Sequence, residues 1–209
     1  CGFQRRLTPG LPKGQKEVWP SHPKPQLLPA LIEHESCIGL KHSKCWNSMS
    51  RLKTPREEGA GLGQITRAYR MDGSIRFDAL AEIRNKHPEL KELSWGNVYS
   101  RPDLQMRAVI FKMRDNYNYY KPYSYSYWDT LAFADAAYNG GIGGLDSERR
   151  ACKISSNCDP TKWFGHVENF CLKSKAALYG NRSACTINRH HVDDVLNVRS
   201  PKYIKYFSN

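Results

Sequence analysis

An apolar stripe at helical spacing runs into a carboxylic acid early in this chain. Leu28, Leu31, Ile32 and Glu35 stand at i, i+3, i+4 and i+7 of Leu27-Leu28-Pro29-Ala30-Leu31-Ile32-Glu33-His34-Glu35-Ser36, the repeat of one helix face. The spacing predicts a helix from about Pro29 to Ser36, with Pro29 tolerated in its first turn. Burying the stripe carries Glu35 toward the core, whereas Glu33 and His34 point elsewhere. Poor solvation disfavours a charged carboxylate, so a raised pKa and proton donation near neutral pH are expected of Glu35. The plain alternative is an acid that caps its helix or pairs with a buried arginine.

The rest of the body also reads as mainly helical. A helix is expected through Phe77, Leu80 and Ile83. Ser100-Arg101-Pro102-Asp103 has the form of a capping box opening a long helix that buries Met106, Ile110 and Met113. Another carries Leu131, Ala134, Ala137 and Tyr138 and stops at Gly140-Gly141. Later helices are marked by Trp163, Val167 and Phe170, then by Val192, Val195 and Leu196, and Ser200-Pro201 opens a last turn near Tyr203 and Tyr206. Gly59-Ala60-Gly61-Leu62-Gly63-Gln64-Ile65-Thr66 is too rich in glycine for a helix and is expected to be a turn or short β element. The fold class is therefore mainly α, with a small β or irregular element around that motif.

Composition bounds the class. The chain has 209 residues, which suits one domain or one domain plus a tail. Residues 1–26 hold Pro9, Pro12, Pro20, Pro23 and Pro25, are basic, and are expected to form an extended tether ahead of a domain at 27–209. No apolar run is long enough to span a bilayer. A formal charge of +12 favours an anionic partner: nucleic acid, a membrane surface or a wall polymer bearing carboxylates. A merely solvated basic surface is the bland alternative.

Seven cysteines suit an oxidising compartment. Short spacings favour Cys37 with Cys45 and Cys152 with Cys158, which leaves Cys171 with Cys185, although six cysteines allow 15 connectivities. His34, Cys37, His42 and Cys45 also have a zinc-like spacing, but an oxidising compartment favours the disulfide, so no metal is expected. Cys1 is either a lipid-carrying cysteine of a bacterial lipoprotein or a boundary that happens to fall there.

Between the long helix and the Leu131 helix lies Tyr117-Asn118-Tyr119-Tyr120-Lys121-Pro122-Tyr123-Ser124-Tyr125-Ser126-Tyr127-Trp128. Aromatic faces stack on sugar rings while a phenol hydrogen-bonds, and they stack on nucleobases too. About half of these rings are expected in the core and the rest along a ligand groove.

Four segments then occur in order: Glu35-Ser36, Gly61-Leu62-Gly63-Gln64, Ala137-Tyr138-Asn139 and a late tyrosine. This order resembles the lytic transglycosylases of the soluble-type, lysozyme-like superfamily, whose pattern is Glu-Ser, Gly-Leu-Met-Gln, Ala-Tyr-Asn and a late Tyr. The resemblance covers roughly residues 27–207. It implies an α+β lysozyme-like domain that cleaves the bond from N-acetylmuramic acid to N-acetylglucosamine in peptidoglycan, with Glu35 as the sole acid and base. It implies that Ser36, Gly61, Leu62, Gly63, Gln64, Tyr138, Asn139 and Tyr203 bind or position substrate, Tyr206 being the alternative late tyrosine. The implied partner is the glycan strand, with no nucleic acid, no cofactor and a monomeric enzyme. The implied location is the bacterial envelope, as a periplasmic protein or, if Cys1 carries lipid, an outer-membrane lipoprotein, with a phage-encoded lysis protein as the remaining alternative. Two departures stand out: Gly63 replaces the usual Met, and the loop carrying Cys37 and Cys45 is long.

Two rivals remain. Glu58 could serve as a second carboxylate of a hydrolytic muramidase, which needs carboxyl separations of about 5–5.5 Å or 6.5–9.5 Å. Otherwise the chain is a cationic envelope- or nucleic-acid-binding protein without catalysis.

Overall fold

The computed structural model describes residues 10–37 and 45–207. Cys1 and His42 lie outside the described residues. The chain divides into two compact units, one of Cys1–Lys112 with Arg199–Asn209, the other of Met113–Val198. The architecture is mainly helical with a small four-stranded sheet, as the periodicities predict.

In the first unit, α1 (Gly10–Val18) is a helix where an extended tether was expected. Its buried residues Leu11, Gly14, Gln15 and Val18 have i, i+3, i+4, i+7 spacing. A glycine and a glutamine hold two of those places, which hides the stripe from an apolar count. Gly14 lets α1 approach Ile110 closely, since a Cβ there would come within 3.3 Å of its Cδ1. Arg107 bonds both Glu17 at 2.7 Å and Glu89 at 2.8 Å, fastening α1 further. The helix carrying Glu35, α2 (Leu27–Ser36), follows.

Strands β1 (Arg51–Lys53), β2 (Glu57–Ala60), β3 (Ile65–Tyr69) and β4 (Ile75–Asp78) form an antiparallel meander in sequence order. Glu58 pairs across the ladders with Lys53 on one side and Arg67 on the other. Asp78 ends β4 and caps α3 (Ala79–Lys86) by accepting from Ala81 N–H at 2.9 Å. Phe77 thus belongs to a strand, and the helix starts two residues later.

The long helix α4 (Pro102–Tyr120) crosses from the first unit into the second. Ser100 does not cap it, because its hydroxyl donates to Asn97 O at 2.9 Å. The expected Met106, Ile110 and Met113 are buried, and so are Gln105, Ala108, Val109 and Asn116, so α4 is covered on more than one face.

In the second unit, α5 (Tyr127–Gly140) is capped by Ser126 and buried along its whole middle. It ends at Gly141, whose φ of 84° favours glycine. The following α6 (Ile142–Ile154) was not foreseen, since Gly143 and Gly144 and a charged run mask its inward residues Leu145, Glu148 and Cys152. The Trp163 to Phe170 stretch holds only a 3-10 turn, Val167–Asn169, where a helix was expected. Tertiary bonds replace the helical ladder there: Asp129 accepts from Trp163 N–H at 2.9 Å, and Arg189 donates to the carbonyls of Val167 and Glu168. A hairpin of β5 (Ala177–Tyr179) and β6 (Arg182–Ser183) leads into α7 (Ala184–Asp193). A π-helical stretch, Asp194–Arg199, then leads to the 3-10 segment Ser200–Tyr206, which packs on α2 in the first unit.

Three disulfides are present, Cys37–Cys45, Cys152–Cys158 and Cys171–Cys185, in the pairing that the spacings favour. No helix among the described residues is long and apolar enough to cross a membrane. In the tyrosine run, Tyr117 and Tyr120 are buried, Trp128 is half-buried, and Tyr119, Tyr123, Tyr125 and Tyr127 are exposed.

Candidate functional site

The C-terminal turn of α2 carries two acids, and their burial reverses the expected order. Glu35 is half-buried, whereas Glu33 is only 8% exposed. The reason is the Ser200–Tyr206 segment, which covers a second side of α2. Glu33 accepts from Arg199 at 2.7 Å, from Lys202, and from the Tyr203 hydroxyl. Burial alone would raise its pKa, but the hydrogen bonds from Lys202 and Tyr203 and the charges of Lys202 and Arg199 outweigh it and hold Glu33 below the ordinary carboxylate value. Glu33 is therefore an anchored carboxylate. Tyr203, expected to position substrate, is 2% exposed and works as a donor to that anchor.

Glu35 shares its surroundings with Lys112 of α4. Burial lowers the pKa of the Lys112 ammonium, while the nearby charges of Glu35 and Glu82 pull it back up. A half-buried acid with a partly desolvated amine beside it is thus the chemical content of this end of α2.

Ser36 ties that end to the glycine-rich turn. Its hydroxyl donates to Ile32 O at 2.6 Å and accepts from Trp46 N–H at 2.7 Å. Its carbonyl accepts from the Ser50 hydroxyl at 3.2 Å. The Ser50 carbonyl in turn accepts from Gly61 N–H at 2.7 Å and from the Gln64 amide at 3.1 Å. Glu-Ser and Gly-Leu-Gly-Gln are therefore joined through one intervening serine (Ser50), although at least 24 residues separate the two motifs in the sequence.

The turn itself is held from below. Gly61 has φ of 72°, and a Cβ on it would fall on the Gln105 carboxamide. Gln105, fully buried on α4, accepts from Leu62 N–H at 2.9 Å and donates to the carbonyls of Ser48 and Val98. Gln64, at φ of 46°, is kept in that left-handed conformation by its side chain bonding Gly61 O at 2.9 Å. Gly63 is buried in the same turn.

This placement corrects part of the expected contact set. Ser36 and Leu62 are fully buried, so neither side chain is available to a glycan. Ser36 and Gln64 brace the turn, and Gly61 permits its path.

Glu58 is 3% exposed. Lys53 lies 2.9 Å away, Arg51 and Arg67 each 3.5 Å, and the Tyr99 hydroxyl donates at 3.1 Å. Burial again pushes up, yet Lys53, Tyr99 and the charge of Arg51 prevail, and the Glu58 pKa falls to about 2. Both of its oxygens are committed, which leaves a poor base for activating water.

Tyr138 and Asn139 belong to the second unit. Tyr138 is buried and stacks on His191, with ring centroids 6.4 Å apart. His191 in turn sits 2.6 Å from Asp135. Asn139 is exposed, and its Oδ1 accepts from Asn188 at 2.9 Å.

Sequence reasoning missed Ser50, Gln105 and Lys112. Gln105 and Lys112 had a signal, since with Ala108, Val109 and Asn116 they form a second helical stripe on α4. Ser50 had none. No protein-family model, curated protein or solved structure matches the chain.

Proposed function

We propose that this protein cleaves peptidoglycan glycan strands between N-acetylmuramic acid and N-acetylglucosamine, without water, as a lytic transglycosylase of the lysozyme-like kind. The observation that carries this reading is the Ser36–Ser50–Gly61–Gln64 chain of hydrogen bonds, which ties the Glu35-Ser36 end of α2 to the buried glycine-rich turn. Among the described residues of the first unit the buried acids are Glu33 and Glu58, both held ionised by cations and phenols, which favours the half-buried Glu35 as the acid for proton transfer.

In the reaction, Glu35 delivers its proton to the glycosidic oxygen as the bond to the muramyl C1 breaks, and positive charge spreads over C1 and the ring oxygen. The glucosamine end leaves with that proton. The resulting Glu35 carboxylate takes the proton from the muramyl 6-hydroxyl, whose oxygen bonds to C1. The products are a 1,6-anhydro end and a regenerated acid, with no water consumed. Because the nucleophile is already attached to the substrate, the second step gains the advantage of an intramolecular attack. A committed Glu58 disfavours the hydrolytic alternative.

The test is mass analysis of muropeptides after digestion of purified wall. Anhydro ends from the wild type, and loss of lysis with retained wall binding in Glu35→Gln, are expected. Reducing ends would indicate a hydrolase, and lysis undiminished in Glu35→Gln would overturn the assignment altogether.

A further inference from the structure

One face of the sheet carries more positive charge than its own acids neutralise. Arg51 and Lys53 lie two apart on β1, Glu58 pairs with Lys53, and Arg67 pairs with Glu58. Residues two apart on a strand, and residues directly paired, share a face. Three cations thus converge on one carboxylate, all toward its Oε2 atom. Asp78 pairs with Arg67 on β4, but its oxygens take Trp95 Nε1–H at 3.1 Å and Ala81 N–H. Even counting Asp78, one positive charge is unmatched.

The cations are also presented. The side chains of Arg51 and Lys53 are 51% and 48% exposed. Aromatic rings hold their orientation: the Arg67 guanidinium lies 4.2 Å from the Trp95 ring centroid, Lys53 5.0 Å from Tyr69, and Arg51 5.8 Å from Tyr99. The buried Nε of Arg67 has no hydrogen-bond partner among the described residues. Guanidinium and ammonium groups held on one face of a sheet, two of them half-exposed on its edge strand β1, fit a carboxylate.

We infer that this face, formed by Arg51, Lys53 and Arg67, is a carboxylate-binding subsite for the acidic peptide arms carried by muramyl residues. The inference rests on the glycan-cleavage reading. Glu58 precedes Gly61 by three residues on β2, so the cluster lies roughly 10 Å along the strand from the glycine turn. A glycan strand that reaches Glu35 and runs on past the exposed ends of Arg51 and Lys53 would bring its peptide arms, which branch from alternate sugars, over the cations. The subsite would therefore select peptide-bearing glycan over stripped glycan, and it would do so without taking part in bond cleavage.

The experiment titrates an N-acetylmuramyl peptide with free carboxylates, and the same compound with those carboxylates amidated, into the full chain by calorimetry. The wild type is expected to bind the acidic probe about tenfold more tightly, and the difference is expected to shrink with salt. In Arg51→Gln/Lys53→Gln, whose sites are half-exposed, the two probes should bind alike. Equal binding of both probes by the wild type, absence of binding, or discrimination that survives in the double variant would overturn the inference. Digestion of peptide-stripped strands reads the catalytic proposal separately: the double variant should cleave them as the wild type does. Cleavage without probe discrimination sinks the subsite alone, whereas no cleavage by the wild type sinks the function.

Discussion

Glu58→Gln removes the single negative charge on which Arg51, Lys53 and Arg67 converge while keeping nearly the same volume. The Glu58 pKa falls from an ordinary 4.5 to about 2, and each unit corresponds to about 1.4 kcal/mol of preference for the charged form in the folded state. The difference gives about 3 kcal/mol, and half-exposed partners reduce it to about 2–3 kcal/mol. For a chain of this size that is a fall in Tm of about 4–12 °C. The pH dependence has a definite sign. A depressed carboxylate pKa stabilises the fold above the unfolded value near 4.5, and the contribution is lost as pH falls toward 2. Thermal melts of both proteins at pH 7 and at pH 3 should therefore show a gap that narrows on acidification. Activity read well below the melting range should stay within about tenfold of wild type, because a committed carboxylate does no proton chemistry. Glycan cleavage abolished in a Glu58→Gln protein that melts like the wild type would refute the reasoning and make Glu58 a reacting group.

Gly61→Ala adds a Cβ at positive φ against the buried Gln105 carboxamide, and should cost about 3 kcal/mol or more in urea titration through strain and broken hydrogen bonds. Gly73→Ala, also at positive φ but with open space around it, should cost only about 1 kcal/mol; equal costs would mean that the close approach is unimportant. His22 is buried against Trp19, and its Nδ1 accepts from Lys24 N–H at 3.1 Å. Burial lowers its pKa from 6.5 to about 3, so the unfolded chain takes up the proton first and stability falls as pH drops from 6.5 toward 3. His22→Phe should flatten that slope most clearly between pH 6.5 and 5, above the range where Glu58 titrates, and an unchanged slope would show that His22 is not its source.

The parts of the fold governed by local pattern were legible. The stripe ending at Glu35, the glycine-rich turn and the Gly140-Gly141 stop are each written in neighbouring residues. What escaped depends on partners far along the chain. Glu33 faces outward by the apolar count, yet Arg199, Lys202 and Tyr203 give it a second buried side. Gln105 and Lys112 sit among inward residues of α4, but a reading that scores only apolar side chains passes over them. The expected helix near Val167 yields to bonds from Asp129 and Arg189, whose proximity no local window contains. Disulfide pairing followed from spacing because each loop is short. Within the candidate site, several side chains of the expected motifs, Ser36 and Gln64 among them, serve as braces.

The late clamp on α2 has a temporal implication. Arg199, Lys202 and Tyr203 reach Glu33 across 166 to 170 residues. A nascent chain emerging from the ribosome holds the acid-bearing helix with its Glu33 charge unquenched until residues 199–203 arrive. The surroundings of α2 are thus completed only once residues 199–203 have been made, and a fragment truncated before that segment would leave Glu33 open.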